Sequence, residues 1–303
     1  MTAAVLKQLQ LRMEFDPRFD GKKLKLKGKE LNRIPSDVFN MIDLQILDMS
    51  PTREASLLFS LTAVPININR LQNLRVLILD TNKLKILPPE VAELQHLEKL
   101  AASNNLLTSL PASFASLTEL STLHLANNKF RALPPQLCRL PRLGFLDMSC
   151  NKLTTLPDDI CNLISLQVFL LAYNRLGSLP ERLGEMTWLR TLWLGNNKLT
   201  YLPESFTNLE NLDWGEYYTS SNINDNPLQD PPVNVASNGT QRISEWREEQ
   251  LKLKGLWEAE MRRREDARSQ EEERAQEEER RQRELMLEAE RKRQERMRED
   301  ERK

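Results

Sequence analysis

The sequence predicts an α/β fold, in which short parallel strands stack into a solenoid and a long charged α-helix follows. Two observations support this prediction. After about residue 258, the chain becomes rich in charged residues and lacks proline and glycine. Before that point, a leucine opens the same sequence pattern every 23 residues. These leading leucines are Leu74, Leu97, Leu120, Leu143, Leu166 and Leu189.

The repeated pattern is L-x-x-L-x-L-x-x-N-x-L-x-x-L-P, as in LSTLHLANNKFRALP from Leu120. Because successive side chains of a strand point to opposite faces, the leucines at the third and fifth places after the first point into a core. One repeat cannot bury its own leucines, but stacked repeats can, and each buried leucine contributes about 1.5–3 kcal/mol. The asparagine can satisfy backbone groups where the chain turns. It recurs as Asn82, Asn105, Asn128, Asn151, Asn174 and Asn197.

This pattern resembles that of the leucine-rich repeat family over residues 21–239. The resemblance implies a leucine-rich repeat solenoid, a parallel-sheet horseshoe of about nine repeats, with insertions near 51–60 and 219–225. The closing segment NPLQDPPVNVASNGTQRI is similar to the last repeat of intracellular members such as the Ras-suppressor, Scribble-type and plant Ras-group-related proteins. What this resemblance implies for function is protein binding, often in signalling through small GTPases.

Both ends of such a stack need a cover, because the terminal repeats would otherwise expose their leucines. Residues 1–20 are expected to form an N-terminal helical cap, and residues 240–258 a C-terminal capping helix. The apolar residues at helical spacing are Val5, Leu6, Leu9 and Met13 at the first end, and Ile243, Trp246, Leu253 and Trp257 at the second.

Residues 259–303 form the charged tail. A coiled-coil seam counted from Ile243 fails after Trp257, because most of the following a and d places hold charged residues. Glu precedes Arg or Lys by four residues at seven places in the C-terminal segment, and each such pair stabilises a helix by about 0.2–0.5 kcal/mol. A single solvated helix is therefore the first prediction, and a partly disordered tail is the alternative.

The charges of the chain balance, with 43 Lys and Arg against 44 Asp and Glu. A balanced chain has no global field that would attract nucleic acid. No stretch approaches the roughly 20 apolar residues of a membrane span, and the first residues lack the apolar core of a signal peptide. The three cysteines show no framework spacing. We therefore expect a cytoplasmic, monomeric protein without a membrane span.

Sequence motifs for catalysis are missing, since the chain has no Gly-rich phosphate loop, His-Glu-x-x-His helix or paired CxxC. His124 takes the central outward place of its strand, and Asp147 takes the same place one repeat later. Neighbouring strands lie about 4.8 Å apart, so the two side chains could form a hydrogen bond. A catalytic site also needs a nucleophile and a pocket. We therefore expect this pair to orient a partner, and we expect no enzyme, cofactor or metal.

The outward places of the strands contain an apolar cluster in the C-terminal half of the sheet. In two earlier repeats these places hold small or polar residues, such as Lys99 and Thr122. In the later repeats they hold Phe145, Val168, Leu170, Trp193, Trp214 and Tyr218, with Tyr173 at the rim. Aromatic residues of this kind dominate interface energies, although the same side chains could simply stack across strands. We expect a partner-binding site that comprises these seven residues, Asp147 and His124.

The sequence thus favours a non-enzymatic intracellular adaptor or scaffold that binds a partner protein on the concave face of the repeats. The family resemblance implies a small GTPase or its regulator as the partner. The alternative is a cytoskeletal or ciliary structural protein that acts through the charged helix. A ribosome- or membrane-associated repeat protein is a third hypothesis, ranked last because that group relies on a membrane anchor.

Overall fold

The computed structural model describes residues 3–17, 19–52, 58–215 and 220–300, with side chains described from residue 7 to residue 292. In this part of the chain, nine strands form one sheet whose order in space follows the order in the chain. The strands are β1 (Glu14–Asp16), β2 (Gly21–Lys25), β3 (Ile46–Asp48), β4 (Val76–Ile78), β5 (Lys99–Ala101), β6 (Thr122–His124), β7 (Phe145–Asp147), β8 (Val168–Leu170) and β9 (Thr191–Trp193). All pairs from β2 to β9 are parallel. The predicted solenoid is confirmed, and an unexpected antiparallel strand, β1, extends it at the first edge.

Successive repeats stack in register. Leu123 of β6 lies opposite Leu146 of β7, and both side chains are fully buried. The longer step between β3 and β4 keeps the same register, because Ile46 lies opposite Val76. The extra residues between β3 and β4 therefore do not shift the sheet, and residues 53–57 of the insertion expected near 51–60 lie outside the described residues.

The return segments are short 3-10 helices, and each of them follows a proline. The ring of proline fixes φ near −65°, and these prolines have φ between −57° and −72°. The proline of each L-P pair therefore starts the return segment at a fixed place in the repeat. Among the described residues, the 3-10 helices are Ser36–Asn40, Ile66–Arg70, Pro89–Glu93, Ala112–Ser116, Pro135–Arg139, Asp158–Asn162, Glu181–Glu185 and Glu204–Asn208.

A ladder of buried asparagines joins each repeat to the one before it. Nδ2 of Asn151 donates to the backbone oxygens of Leu125 and Met148, at 3.0 Å each. Its Oδ1 accepts the backbone N–H of Phe130 at 3.1 Å. Since Leu125 and Phe130 belong to the preceding repeat, one side chain holds two repeats together. The other members of the ladder are Asn82, Asn105, Asn128, Asn174, Asn197 and Asn226.

Helix α1 (Ala3–Leu11) precedes the sheet. Its Leu9 side chain is buried, and Met13 just beyond the helix is half-buried. The side chains of Val5 and Leu6, which complete the predicted apolar stripe, lie outside the described ones.

The remaining described α-helices are α2 (Lys29–Asn32), α3 (Val233–Ala236) and α4 (Thr240–Asp300). The chain divides into two compact units, 1–245 and 246–303, and α4 runs through the boundary. At its start Ile243 is fully buried and Trp246 is half-buried, whereas Leu253 and Trp257 are exposed. The limits proposed for the two caps, 1–20 and 240–258, stay predictions.

The predicted charged helix is present, and α4 continues to Asp300. Among the described side chains, four of the expected Glu-to-cation pairs form ion pairs at 3.8, 3.1, 2.7 and 2.7 Å, and the pair 299–303 lies outside them. They are Glu258–Arg262, Glu260–Arg264, Glu279–Arg283 and Glu288–Lys292. A further pair, Arg268–Glu272, has the reverse order.

Candidate functional site

The strand register brings most of the predicted site residues together on the concave face. Phe145 lies opposite Val168, Asp147 lies opposite Leu170, and Leu170 lies opposite Trp193. All five side chains are half-buried, while the residues between them in each strand point into the core. We call the four apolar members, Phe145, Val168, Leu170 and Trp193, the C-terminal patch.

His124 lies opposite Asp147, as the sequence predicts, but its imidazole makes a different contact. The His124 and Phe145 ring centroids are 4.7 Å apart. Oδ1 of Asp147 accepts the backbone N–H of Ser149 at 2.9 Å, and no hydrogen bond to His124 is found among the described side chains. Burial lowers the pKa of His124 and nearby Lys99 lowers it further, although Asp147 acts in the opposite direction. Burial therefore favours the neutral form of the His124 ring, which packs against Phe145.

Trp193 is half-buried, and its indole has a fixed orientation. The Nε1–H donates to the backbone oxygen of Ser220 at 2.7 Å. Cross-strand stacking is therefore not its only contact, because the indole also binds the backbone of the next repeat at Ser220. Gly195, two residues after Trp193, lies close to the next repeat, since a Cβ at Gly195 would lie 2.8 Å from Oδ1 of Asn222.

The register expected for the last repeat is wrong. The residue opposite Trp193 is Asn222, so Trp214 does not continue the columns of the C-terminal patch. The extra residues of this repeat therefore precede Asn222 rather than lying at 219–225, and Ser221 and Ile223 take the buried places. Counting back from Asn226 gives this register, whereas counting forward from Leu212 does not. The predicted site residue Tyr218 lies outside the described residues.

Trp214 is half-buried at this end of the sheet and lines the same cavity as Tyr173 and Trp193. Its ring centroid lies 6.5 Å from that of the buried Phe206. A Cβ at Gly239 would lie 3.1 Å from the indole of Trp214, so Gly239 lets the backbone approach the ring closely. The indole Nε1 is buried without a hydrogen bond to any side chain or backbone group described here. Trp214 is thus held mainly by packing.

The residue before each ladder asparagine has a left-handed backbone. In the regular repeats φ at this place lies between 51° and 61°. Asparagine and aspartate adopt this region more readily than other side chains, and a bulky residue there is an outlier. The residues at this place are Thr81, Asn104, Asn127, Cys150, Tyr173, Asn196 and Asp225. Tyr173 is the bulkiest of them, and its side chain is 60% exposed.

Tyr173 and Trp193 line a cavity of about 500 Å³ at the C-terminal end of the concave face. Its other walls include Asn196, Asn222 and Asp225. Nδ2 of Asn196 donates to Oδ2 of Asp225 at 3.1 Å, which fixes the polar side of the cavity. The arrangement can hold an aromatic or aliphatic side chain between rings and satisfy its backbone with amides. Sequence reasoning missed the polar wall because it assigned the wrong register to the last repeat.

The described residues offer little for catalysis. Burial raises the pKa of the Cys138 and Cys161 thiols to about 11, so both are protonated at neutral pH. Cys150 is exposed, and burial of its thiol also raises its pKa. No cluster of three metal-ligating side chains occurs in the described part of the chain. Of the helices described, none is both long and apolar enough to cross a membrane.

Two models of known protein families match the regular repeats. Residues 72–130 and 118–176 match the model described as leucine rich repeat, and residues 164–213 match the model for two copies of leucine rich repeats. These matches cover the repeats in which the strand register and asparagine ladder are regular. The chain is a leucine-rich repeat protein. A comparison with curated proteins gives no match.

Solved structures of leucine-rich repeat proteins share the fold. A protein of Leptospira interrogans is 32% identical with a TM-score of 0.63, and the match covers 71% of this chain and 52% of that one. The plant peptide hormone receptor RGFR1, in complex with RGF2, is 25% identical with a TM-score of 0.56, over 71% of this chain and 37% of the receptor. An internalin of Listeria monocytogenes is 22% identical with a TM-score of 0.54, over 67% and 54%. The match covers between 37% and 54% of the length of these three proteins.

Proposed function

We propose that this leucine-rich repeat protein is a non-enzymatic adaptor that binds a partner protein through the C-terminal patch and the adjoining cavity. The observation that carries the proposal is the backbone of Tyr173, which has φ of 58°. A left-handed conformation costs an ordinary residue about 1–2 kcal/mol. Asparagine occupies this place in three other repeats. Tyrosine at this place therefore makes the fold less stable than asparagine would. Backbone strain of this kind clusters at binding sites.

The surroundings of Tyr173 support a protein partner. The exposed phenol and the indole of Trp193 line the same cavity, and Phe145, Val168 and Leu170 extend an apolar surface from it across neighbouring strands. Aromatic residues at the centre of an interface with polar groups around them are the usual anchors of protein binding. Asn222 and Asp225 supply the polar side.

Leucine-rich repeat folds are typical of protein–protein interaction domains and are generally non-catalytic. The likeness to a receptor solved in complex with RGF2 agrees with the use of such a fold for recognition. For this chain we propose an intracellular, cytoplasmic and monomeric adaptor. Its partner, in the class that the sequence resemblance implies, is a small GTPase or its regulator.

A second candidate function rests on α4. The helix has 61 residues, which at 1.5 Å per residue gives a length of about 90 Å. A solvated helix of this length can act as a spacer or a strut. In that case the charged helix carries the function of a cytoskeletal or ciliary protein, and the repeats anchor it.

The first experiment captures partners on the immobilised full chain, identifies them by mass spectrometry and measures the affinity of the purified partner. Trp193→Ala should weaken binding at least about thirtyfold, the loss of a 2 kcal/mol hot spot. Thr122→Ala, on the same face but outside the C-terminal patch, should change the affinity less than twofold. A partner that binds both variants equally well, or that binds residues 246–303 alone, would favour the strut instead.

A further inference from the structure

A row of basic side chains follows the asparagine ladder along one edge of the solenoid. The residue after the asparagine is basic in five of the six regular repeats, and the third residue after it is basic in two. We call these seven residues the basic edge. They are Lys83, Lys85, Lys129, Arg131, Lys152, Arg175 and Lys198.

The backbone holds the basic edge in line. The N–H of Lys129 donates to the Leu107 oxygen at 2.8 Å, and the N–H groups of Lys152, Arg175 and Lys198 make the same bond to the repeat before them at 2.8, 2.8 and 2.9 Å. Four cations therefore occupy equivalent places in four consecutive repeats. Neighbouring strands lie about 4.8 Å apart, so the row places one positive charge at about that interval.

Among the residues that the structure describes, no acidic side chain pairs with the basic edge. The six segments from the ladder asparagine to the leucine before the proline contain no Asp or Glu. Within the described part of the chain, none of the seven side chains forms an ion pair or a side-chain hydrogen bond. Acidic residues lie instead on the 3-10 helices, for example Glu90, Asp158 and Glu181. The net charge of −1 for the whole chain thus conceals a local row of positive charge.

Apolar side chains accompany the cations on this edge. Ile86 is 63% and Tyr201 is 42% exposed, and both lie within three residues of a basic-edge lysine. Near the middle of the row, Lys129 and Arg131 line a depression of about 510 Å³ together with Thr108. Two cations and a hydroxyl group beside one depression are suited to a phosphate group.

We propose that the basic edge docks this protein on an anionic lipid bilayer. Each lysine or arginine near an anionic leaflet raises the affinity of a protein for the bilayer about fivefold. Aliphatic and tyrosine side chains are accommodated at the headgroup level. A bilayer therefore uses both components of the edge, the cations and the exposed Ile86 and Tyr201. A nucleic acid strand would use the cations but needs aromatic rings beside them for its bases, and Tyr201 is the single ring in the six segments besides the buried Phe130.

The test is cosedimentation of the full chain with vesicles of phosphatidylcholine, with and without 30% phosphatidylserine. The edge variant carries Lys152→Gln, Arg175→Gln and Lys198→Gln. The matched control carries Arg139→Gln, Arg142→Gln and Arg190→Gln, which remove the same charge from exposed positions outside the basic edge. Both variants leave the charged tail and the C-terminal patch intact, so the result does not depend on the proposed adaptor function. Circular dichroism confirms that both are folded.

The wild type should bind only the phosphatidylserine vesicles. The edge variant should bind them about a hundredfold more weakly, about fivefold for each lost cation, and the control variant should lose less than threefold. Equal losses in the two variants, or no binding by the wild type, would overturn the proposal. Binding of the same variants to single-stranded RNA is measured in parallel. If the edge variant loses RNA binding while its vesicle binding is unchanged, the basic edge binds nucleic acid and the proposal is overturned.

Discussion

At the scale of single residues, the fold depends on side chains that form hydrogen bonds to buried backbone N–H and C=O groups. Asn151 makes two bonds to its own repeat and two buried bonds to the preceding one. Asn162 on the neighbouring 3-10 helix is exposed and does not belong to the buried ladder. Asparagine therefore contributes much to stability at position 151 and little at position 162, because only Asn151 forms hydrogen bonds to buried backbone groups.

Changing Asn151→Ala should lower the free energy of unfolding by about 3 kcal/mol, because it leaves buried backbone groups without partners. Urea denaturation followed by circular dichroism measures this loss. Asn162→Ala is the control and should change the free energy by less than about 0.5 kcal/mol. Equal effects of the two substitutions would mean that the ladder does not hold the repeats together.

His124 gives the sheet a pH dependence of defined sign. Burial lowers its pKa below the ordinary value of 6.5, so the folded chain binds fewer protons than the unfolded chain just below that pH. Its contribution to stability is complete above about pH 6.5 and falls as the pH drops through the window below. His124→Asn should therefore lose less unfolding free energy than the wild type between pH 7.5 and pH 5.5. Thr122→Asn is the control, and a variant that loses as much as the wild type would contradict this role of burial.

At the scale of elements, periodic segments were predictable and irregular ones were not. The strands β4 to β9 follow from the 23-residue spacing, because one register satisfies every leucine. Strand β1 was missed, since its three residues show no apolar alternation and the first two side chains are exposed. Extra residues between Leu212 and Asn226 broke the spacing at the last repeat, which is why Trp214 was assigned to the columns of the C-terminal patch.

The charged part of α4 should behave as an isolated helix. Its ion pairs are exposed and each contributes about 0.2–0.5 kcal/mol, so they bias the helix without making it cooperative. Circular dichroism of residues 246–303 should show a gradual melt that does not depend on concentration and a lower helix content at 1 M salt. A sharp melt whose midpoint rises with concentration would mean a coiled coil.

At the scale of the whole molecule, the candidate site was predictable in its location and not in its detail. Outward alternation in the strands indicated Phe145, Val168, Leu170 and Trp193, since the leucine core fixes which face they occupy. The strain at Tyr173 could not be read from the repeat pattern alone, because φ belongs to the stacked backbone. The contact of His124 with Phe145 likewise depends on side-chain geometry that strand spacing does not determine.

The most direct test of the binding site compares Tyr173→Asn with Cys150→Asn. Both positions are exposed and have a left-handed backbone, with φ of 58° and 56°, so asparagine should stabilise the fold at each by about 1 kcal/mol. The measurement is the affinity of each variant for the captured partner, beside its unfolding free energy. Tyr173→Asn should be more stable than the wild type and bind about thirtyfold more weakly, while Cys150→Asn gains stability and binds normally. If Tyr173→Asn binds as tightly as Cys150→Asn, the concave C-terminal surface is not the partner site.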